Sequence, residues 1–426
     1  MKIVYEPAKE LHVAAESDVI VVGGGPGGIV AALAAARTGA QTLLIERYGY
    51  LGGMATAGLM TGFNGFRNER PPNHLQTVRG VAQEIVDRLI AAGGADGCTA
   101  HGNYGDLTPG ECPYAISIDP EVFKRVALEM LDESGVDLLL HTTFADAIRD
   151  GQSIAAIIVE SKSGRQAIQG QIFVDATGDG DVAARAGASY EKVDRVGQHM
   201  MSMTLMYRVC GIPKPGPDER RLWCNGLTTR WGPYISQVDG SSVADLTSAE
   251  ICARQQLAQH LARLRAEFPE AQLVDTAATI GVRETRRIHG LYTITEEDAL
   301  TGRPQSDAIA VSSNPIPNYY GQRRFLPHLG FEIPYRSLVP VSLDNVLLAG
   351  RCISASQPAF QSARSMAPAM AISQASGTAA AMCVARGCCP AELDVAELQA
   401  QLERDGAVIR VPPEERERVA GLMGQE

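Results

Sequence analysis

Residues 18–47, DVIVVGGGPGGIVAALAAARTGAQTLLIER, constrain the fold more than any other stretch of this chain. Asp18 to Val22 reads as a buried strand, because four apolar residues in a row leave no polar face. Gly27 to Arg37 reads as a helix, and Gly39 as its stop in the left-handed conformation that glycine adopts at little cost. Gln41 to Ile45 returns as a second apolar strand, so the stretch is a βαβ unit. Between strand and helix, Gly23, Gly25 and Gly28 stand in GxGxxG spacing. The first permits a tight turn, the second lets a pyrophosphate approach the backbone, and the third lets helix pack on strand; the helix N-terminus then faces the negative charge. Glu46 ends the second strand 18 residues beyond Gly28, where a carboxylate accepts both hydroxyls of a ribose and disfavours a 2′-phosphate. A glycine-rich turn with no ligand is the alternative, and the strand, helix and acid around it argue against that. FAD and NAD share these features. The next residues, RYGYLGGMATAG, carry a second pair, Gly52-Gly53, which a nicotinamide site does not require but which fits a backbone running close along a longer cofactor.

Further on, Asp119 and Pro120 open a helix with Val122, Phe123, Val126, Met130 and Leu131 on its apolar stripe, and Gly135 ends it before a strand at Val136–Leu140. Ile154 to Glu160, a turn at Lys162-Ser163-Gly164, and the segments Gln166–Ile168 and Gln171–Asp175 suggest a small antiparallel meander. From about residue 186 the character changes to a methionine-rich run, HMMSMTLMYRV, and a loop rich in proline and charge. Thr247 and Glu250 have the spacing of a capping box before a helix with Leu257, Leu261, Leu264 and Phe268 on one face. Asn345 to Gly350 (NVLLAG) is again a strand running into glycine, followed by a small-residue helix over 366–386. The residues from about 404 read as a charged, frayed tail. The expected fold is therefore α/β: a Rossmann-like dinucleotide-binding domain with parallel sheet and β-meander from residues 1–58, 119–188 and 333–390. Residues 59–118 and 189–332 are expected to form an inserted α+β cap over the substrate, and 391–426 a C-terminal helix and tail.

The 426 residues, 45 % of them hydrophobic, are enough for this arrangement. A net charge of −11 without blocks of like charge makes nucleic acid and anionic membrane poor partners. No run of about 18 apolar residues suggests a membrane span, and the cytoplasm is the default location. Nine cysteines without a CxxC pair support neither a disulfide framework nor a zinc knuckle, and the methionines are not hard-metal ligands, so no metal site is expected. Homo-oligomerisation stays open.

The run from Asp18 to Gly53 resembles the signature of FAD-dependent oxidoreductases of the glutathione-reductase structural superfamily, in the branch with a single dinucleotide-binding domain. DATGDGDVAARAGA (175–188), VRETRRIHGLYTIT (282–295), IPYRSLVPVSLDNVLLAGRCIS (333–354) and SARSMAPAMAISQASGTAAA (362–381) are similar to a large family of bacterial FAD-dependent oxidoreductases. The resemblance implies FAD as cofactor. It implies that Gly23, Gly25 and Gly28 hold the pyrophosphate, Glu46 the adenosine ribose and Arg47 the adenine side, with Gly53, Met54 and Ala55 running past the ribityl chain and ring. Phe144 is implied to contact adenine through its backbone, and Thr177, Gly178 and Asp181 to lie by the adenosine half. Gly350 and Arg351 stand where many relatives have Gly-Asp, with a carboxylate that binds a ribityl hydroxyl. Arginine cannot accept that bond, so Arg351 is expected at a phosphate. The helix starting near Met366 should point its N-terminus at the flavin N1–C2=O edge, stabilising the reduced, anionic ring.

For the chemistry, Arg283, Arg287 and His289 would share one face if their segment is a strand. Two arginines for a carboxylate and a histidine for a proton would suit dehydrogenation next to an acid group. The arginines could equally pair with Glu284, Glu296 or Asp298 and fix the cap to the dinucleotide domain. Tyr335 and Arg336 could face the ring. His101 and His199 read as ordinary histidines. Residues 49–60 contain no cysteine, which excludes a thiol-disulfide reductase. The leading expectation is an enzyme in which FAD accepts a hydride from a small organic substrate and passes electrons to oxygen or another acceptor. A flavin monooxygenase or halogenase comes second, although Trp223 and Trp231 are not in a WxWxIP arrangement. An electron-relay flavoprotein subunit of a complex comes third.

Overall fold

The computed structural model describes residues 3–5, 7–95, 112–193, 201–215, 222–317 and 322–423. His101 and His199 lie outside them. The opening motif forms strand β1 (Val13–Val22), helix α1 (Pro26–Arg37) and strand β2 (Thr42–Ile45). β1 and β2 run parallel, from Val19 beside Thr42 to Val22 beside Ile45. Val19 to Val22 and Leu43 to Ile45 are at most 3 % exposed, as befits strands covered on both faces. A short antiparallel pair, β3 (Gly62–Asn64) with β4 (Ala115–Ser117), flanks helix α2 (Val81–Ala91) in sequence. The Asp119 side chain caps helix α3 (Pro120–Glu133), accepting the Glu121 N–H at 2.9 Å. Strand β5 (Asp137–Leu139) then joins the outer edge of β2.

The meander is larger than the sequence suggests. Strand β6 (Thr143–Asp150), unforeseen in its half-polar sequence, pairs with β7 (Ser153–Ser161), and β7 pairs with β8 (Gly164–Asp175). The two segments expected on either side of Gly170 are one continuous strand, since Gly170 remains in register with Ser17 of β1. The first half of β8 pairs antiparallel with β7. Its second half lies between β1 and the strand Val346–Leu348, parallel to both. The parallel part of the sheet therefore reads β5-β2-β1-β8 and then Val346–Leu348.

The helix Met366–Arg386 packs along α1. A Cβ on Gly377 would stand 2.0 Å from the Ala31 carbonyl oxygen, and one on Gly27 would stand 2.7 Å from Ser373 Oγ. Small residues at both positions set how closely the helices approach.

Beside this core lies a second layer, with strands Leu222–Cys224, Leu227–Arg230, Tyr207–Cys210 and Gln272–Thr276 in that order and a helix over Val243–Glu267. Met203, Leu205, Met206, Ala249, Ala253 and Ile280 are buried in an apolar cluster of their own. The helix begins one turn before the Thr247–Glu250 pair, because Ser242 caps it through the Asp245 N–H. Thr247 instead bonds back to the Val243 carbonyl, and Glu250 accepts the Ile280 N–H at 2.5 Å. The 59–118 stretch is not confined to this second layer: α2 packs against α1, α3 and the Met366–Arg386 helix, and Ile85, Val86 and Leu89 belong to the main core. Nor is the C-terminus simply frayed, for helices form over Val395–Arg404 and Pro413–Met423, with Arg416 bonded to Glu332 and the Gly302 carbonyl. Among the described residues no helix is long and apolar enough to cross a membrane.

Candidate functional site

The carboxyl ends of the parallel strands open onto a cavity of about 810 Å³, the place where open α/β sheets bind ligands. At its near end the chain leaves β1 through Gly23, whose φ of +108° suits glycine. A Cβ there would lie 2.5 Å from the Ala176 carbonyl oxygen, and one on Gly28 would lie 1.7 Å from the Gly23 carbonyl oxygen. Gly25, the α1 N-cap, is different: it offers no side-chain cap, and the nearest atom to a Cβ there is 3.9 Å away. The first glycine and the third are thus required by packing, while the middle one faces open space at the positive end of a helix.

Glu46 is buried against the same turn. Its Oε2 accepts the Gly24 N–H at 2.6 Å and its Oε1 the Tyr48 N–H at 2.9 Å. The second glycine pair also folds back here, since the Gly52 N–H reaches the Gly24 carbonyl at 2.8 Å and a Cβ on Gly53 would be 2.8 Å from Gly25 Cα.

Opposite, β8 delivers the turn Ala176–Gly180. Asp175, fully buried beneath it, accepts from Thr177 N–H and Oγ1 and from the Ala183 N–H at 2.9 Å. Burial pushes its carboxyl up to about 6, against the pull of those bonds. Burial and the neighbouring Asp179 also push Asp181 up, while Arg286, 2.7 Å away, pulls it down.

Gly23, Gly25, Glu46, Arg47, Gly53, Met54, Phe144, Thr177, Gly178, Asp181, Gly350, Arg351 and Met366 all line this one cavity. Gly28 and Ala55 are buried and do not line it. Arg351 is not available to a phosphate: its guanidinium bonds the Gly178 carbonyl at 2.8 Å, the Val282 carbonyl, and Asp179 at 2.6 Å. At the mouth of the Met366–Arg386 helix the Ser365 N-cap makes no side-chain cap, and Ser365, Met366 and Ala369 face the cavity.

The 283–289 segment departs from expectation. Only Arg286–Ile288 is strand, so Arg283 and Arg287 do not share a face. Arg283 lines the cavity, donates to the Ser202 carbonyl and stands 5.5 Å from the centre of the Tyr234 ring. Arg287 is buried away from the cavity, bonded to the Ala355 carbonyl at 3.0 Å and to Glu191. His289 is at the surface beside Ser189. Tyr335 is buried elsewhere, its hydroxyl donating to the Pro390 carbonyl at 2.8 Å, and burial raises its pKa. Arg336 is paired with Asp307 at 2.8 Å. The arginine run does tie segments together, but through Asp181 and Glu191 rather than Glu284, Glu296 or Asp298.

The far end of the cavity is walled by residues from the second layer, among them Met206, Trp231, Tyr234, Leu246 and Ile280. Arg364, unnoticed in the sequence, lines it too, with Nε on Gln361 Oε1 at 2.7 Å. Burial and then Arg283 push the Arg364 guanidinium down to about 9. The available signal was its solitude: it is the only charged residue between Arg351 and Arg386. Among the described residues no group of His, Cys, Asp and Glu is placed to hold a metal ion.

A protein family described as FAD dependent oxidoreductase matches residues 18–238 and 213–402. The chain is 33% identical over 143 residues to a thiamine thiazole synthase of Aeropyrum pernix, covering 34% of this chain and 43% of that one. It is 60% identical over 38 residues to leghemoglobin reductase of Glycine max, 9% of this chain and 7% of that one. The matched stretches thus span less than half the length of either relative. Among solved structures, the myxobacterial chondrochloren halogenase, a variant of FAD-dependent halogenases, has a TM-score of 0.51 at 16% identity over 92% of this chain and 79% of that one. The p-nitrophenol 4-monooxygenase of Pseudomonas putida DLL-E4 has a TM-score of 0.50 at 11% identity over 96% and 94%. At such identities the likeness is one of fold.

Proposed function

Since the chain belongs to the FAD-dependent oxidoreductase family and is an enzyme with FAD as its cofactor, we propose that it works as a dehydrogenase or oxidase on a small organic substrate. The observation that carries this reading is the continuity of one cavity from the glycine turn to the wall of Met206, Trp231, Tyr234 and Ile280. One end has the lining of a dinucleotide groove, and the other opens between the apolar side chains of Met206, Trp231, Leu246 and Ile280.

The residues fit the cofactor. The α1 N-terminus, left without a side-chain cap at Gly25, faces the pyrophosphate, and Gly23 and Gly28 keep that turn tight. Glu46, held in place by the Gly24 and Tyr48 N–H groups, has lone pairs left for the ribose. Arg47 and Phe144 would hold the adenine side, with Thr177, Gly178 and Asp181 beside the adenosine half. Gly53, Met54 and Gly350, which line the cavity, would hold the ribityl chain and ring, with Ala55 buried next to Met54. The uncapped N-terminus of the Met366–Arg386 helix, which borders the cavity, would hold the pyrimidine edge of the ring. Arg351 serves as a clamp on the Gly178–Asp179 turn, not as a phosphate ligand. Residues of the second layer, with Arg283, hold the substrate and exclude water from it. Bound FAD supplies the capacity to take up a hydride and to pass electrons on to oxygen or another acceptor.

Anaerobic mixing of the purified yellow protein with a panel of small metabolites tests this reading. Bleaching of the flavin absorbance by one of them, without NAD(P)H, is the expected result. Bleaching by NAD(P)H alone would favour a monooxygenase, bleaching by a protein partner alone would favour an electron-relay subunit, and either would overturn the proposal.

A further inference from the structure

Two arginines at the second-layer end of the cavity are held there without a carboxylate. Arg283 donates to the Ser202 carbonyl and Arg364 to the Gln361 side-chain oxygen, both neutral acceptors. Two other arginines lining the cavity are neutralised: Arg323 by Glu69 at 2.5 Å and Arg351 by Asp179 at 2.6 Å. The one carboxylate close by, Glu284, is 3 % exposed and turned away from the cavity. Its Oε1 accepts the Met201 N–H at 2.5 Å, and its Oε2 accepts the side-chain amides of Gln361 and Gln357 at 2.7 and 3.3 Å. Glu284 therefore fixes Gln361, and through it Arg364, without pairing directly with either arginine. Among the described residues no carboxylate lies within salt-bridge distance of Arg283 or Arg364, although Glu284 attracts Arg364 from farther off.

Arg283 and Arg364 line the same cavity half-buried, and two neighbouring guanidiniums repel each other and lose part of their solvation there, a cost that an anion placed between them offsets. Met206, Trp231, Leu246 and Ile280 give the chamber an apolar stretch of wall beside the polar Thr204, Tyr234 and Thr279. We infer that the substrate is a carboxylic acid with an apolar body, its carboxylate held between Arg283 and Arg364 and its body against Trp231, Met206, Leu246 and Ile280. This inference rests on the reading that the chamber is the substrate end of the cavity. Arg283 and Arg364 then set which molecules enter, since a neutral analogue leaves both half-buried guanidiniums without an anion.

The holoenzyme is titrated with phenylacetate and hexanoate and with the matching neutral amides, following tryptophan fluorescence, to which Trp231 contributes, and the flavin absorbance. The acids should bind at least about tenfold more tightly than the amides, and Arg283→Gln and Arg364→Gln should each reduce that preference about tenfold. Arg283→Lys and Arg364→Lys should keep part of it, and they serve as the test if a glutamine variant does not fold. Equal binding of acids and amides, binding of neither, or a preference that survives both substitutions overturns the inference. So does loss of flavin from both Arg364 variants, which would assign this arginine to the cofactor. If the acids bind with the expected preference but no small compound bleaches the flavin without NAD(P)H, the anion site stands and the dehydrogenase or oxidase reading fails.

Discussion

Arg351 and Asp179 form an ion pair 2.6 Å long that joins the loop after strand Val346–Leu348 to the turn after β8. The same guanidinium bonds the carbonyls of Gly178 and Val282, so one side chain holds three chain-distant segments at the cavity wall. Removing one partner of a largely buried pair leaves the other charge uncompensated, at a cost of about 3 kcal/mol. Arg351→Met should lose roughly that in denaturant unfolding. Arg351→Lys should recover only part, because an ammonium cannot span three acceptors as a fork. An unchanged unfolding midpoint in Arg351→Met would remove the clamp from the account.

Glu46 is bound to the glycine turn through Gly24 and continues through Tyr48, and its carboxylate borders the cavity. Hydrogen bonds to a charged group contribute about 1.5–3 kcal/mol, so Glu46→Ala should release flavin roughly tenfold to a hundredfold more readily. Dialysis followed by the absorbance ratio of flavin to protein measures it. A variant that keeps a full complement of flavin would sink the ribose assignment.

Asp175 makes stability depend on pH in an uncommon direction. Burial raises its folded-state pKa to about 6 from 3.8, so between those values the folded state binds the extra proton and the unfolded state does not. Stability from this group is therefore fully present below about 4 and is lost as pH rises through about 6. The advantage of the wild type over Asp175→Asn should shrink across that window and stay level on either side. A difference in unfolding free energy that grows with pH there would contradict the assignment.

Arg287 is buried between the Ala355 carbonyl and Glu191, away from the cavity. Arg287→Ala should lower thermal stability while leaving the rate of flavin reduction in the folded protein within about twofold, an effect well under 1 kcal/mol on the barrier. A reduction rate that falls tenfold or more with the melting temperature unchanged would return Arg287 to the chemistry.

Local sequence rules gave most of the dinucleotide half. The GxGxxG turn, Asp119-Pro120 and the 366–386 helix ending at Gly387 each announce themselves within a few residues, because turn geometry, capping and apolar periodicity are local. The chamber was harder to read. Arg283, Arg287 and His289 share a face only in a strand over seven residues, whereas pairing with Tyr190–Lys192 covers only Arg286–Ile288, and the chain before it turns Arg283 inward. Arg364 reaches Arg283 only through the fold, and no spacing in the sequence links positions 81 residues apart. Ser242 outcompeted the Thr247–Glu250 pair as a cap because Glu250 is engaged by the Ile280 amide, a tertiary contact.

The packing of Gly27 against Ser373 and of Ala31 against Gly377 brings one of the first-made segments of the described chain against one of the last. On a ribosome, β1, α1 and β2 emerge long before Val346–Leu348 and the Met366–Arg386 helix, so the nascent glycine turn has neither its neighbouring strand nor its helix partner. Cofactor loading is then a late event, and until it is possible the second half of β8 presents an open, apolar edge. A cell making this protein would have to keep that edge from pairing with other chains until the last strand arrives.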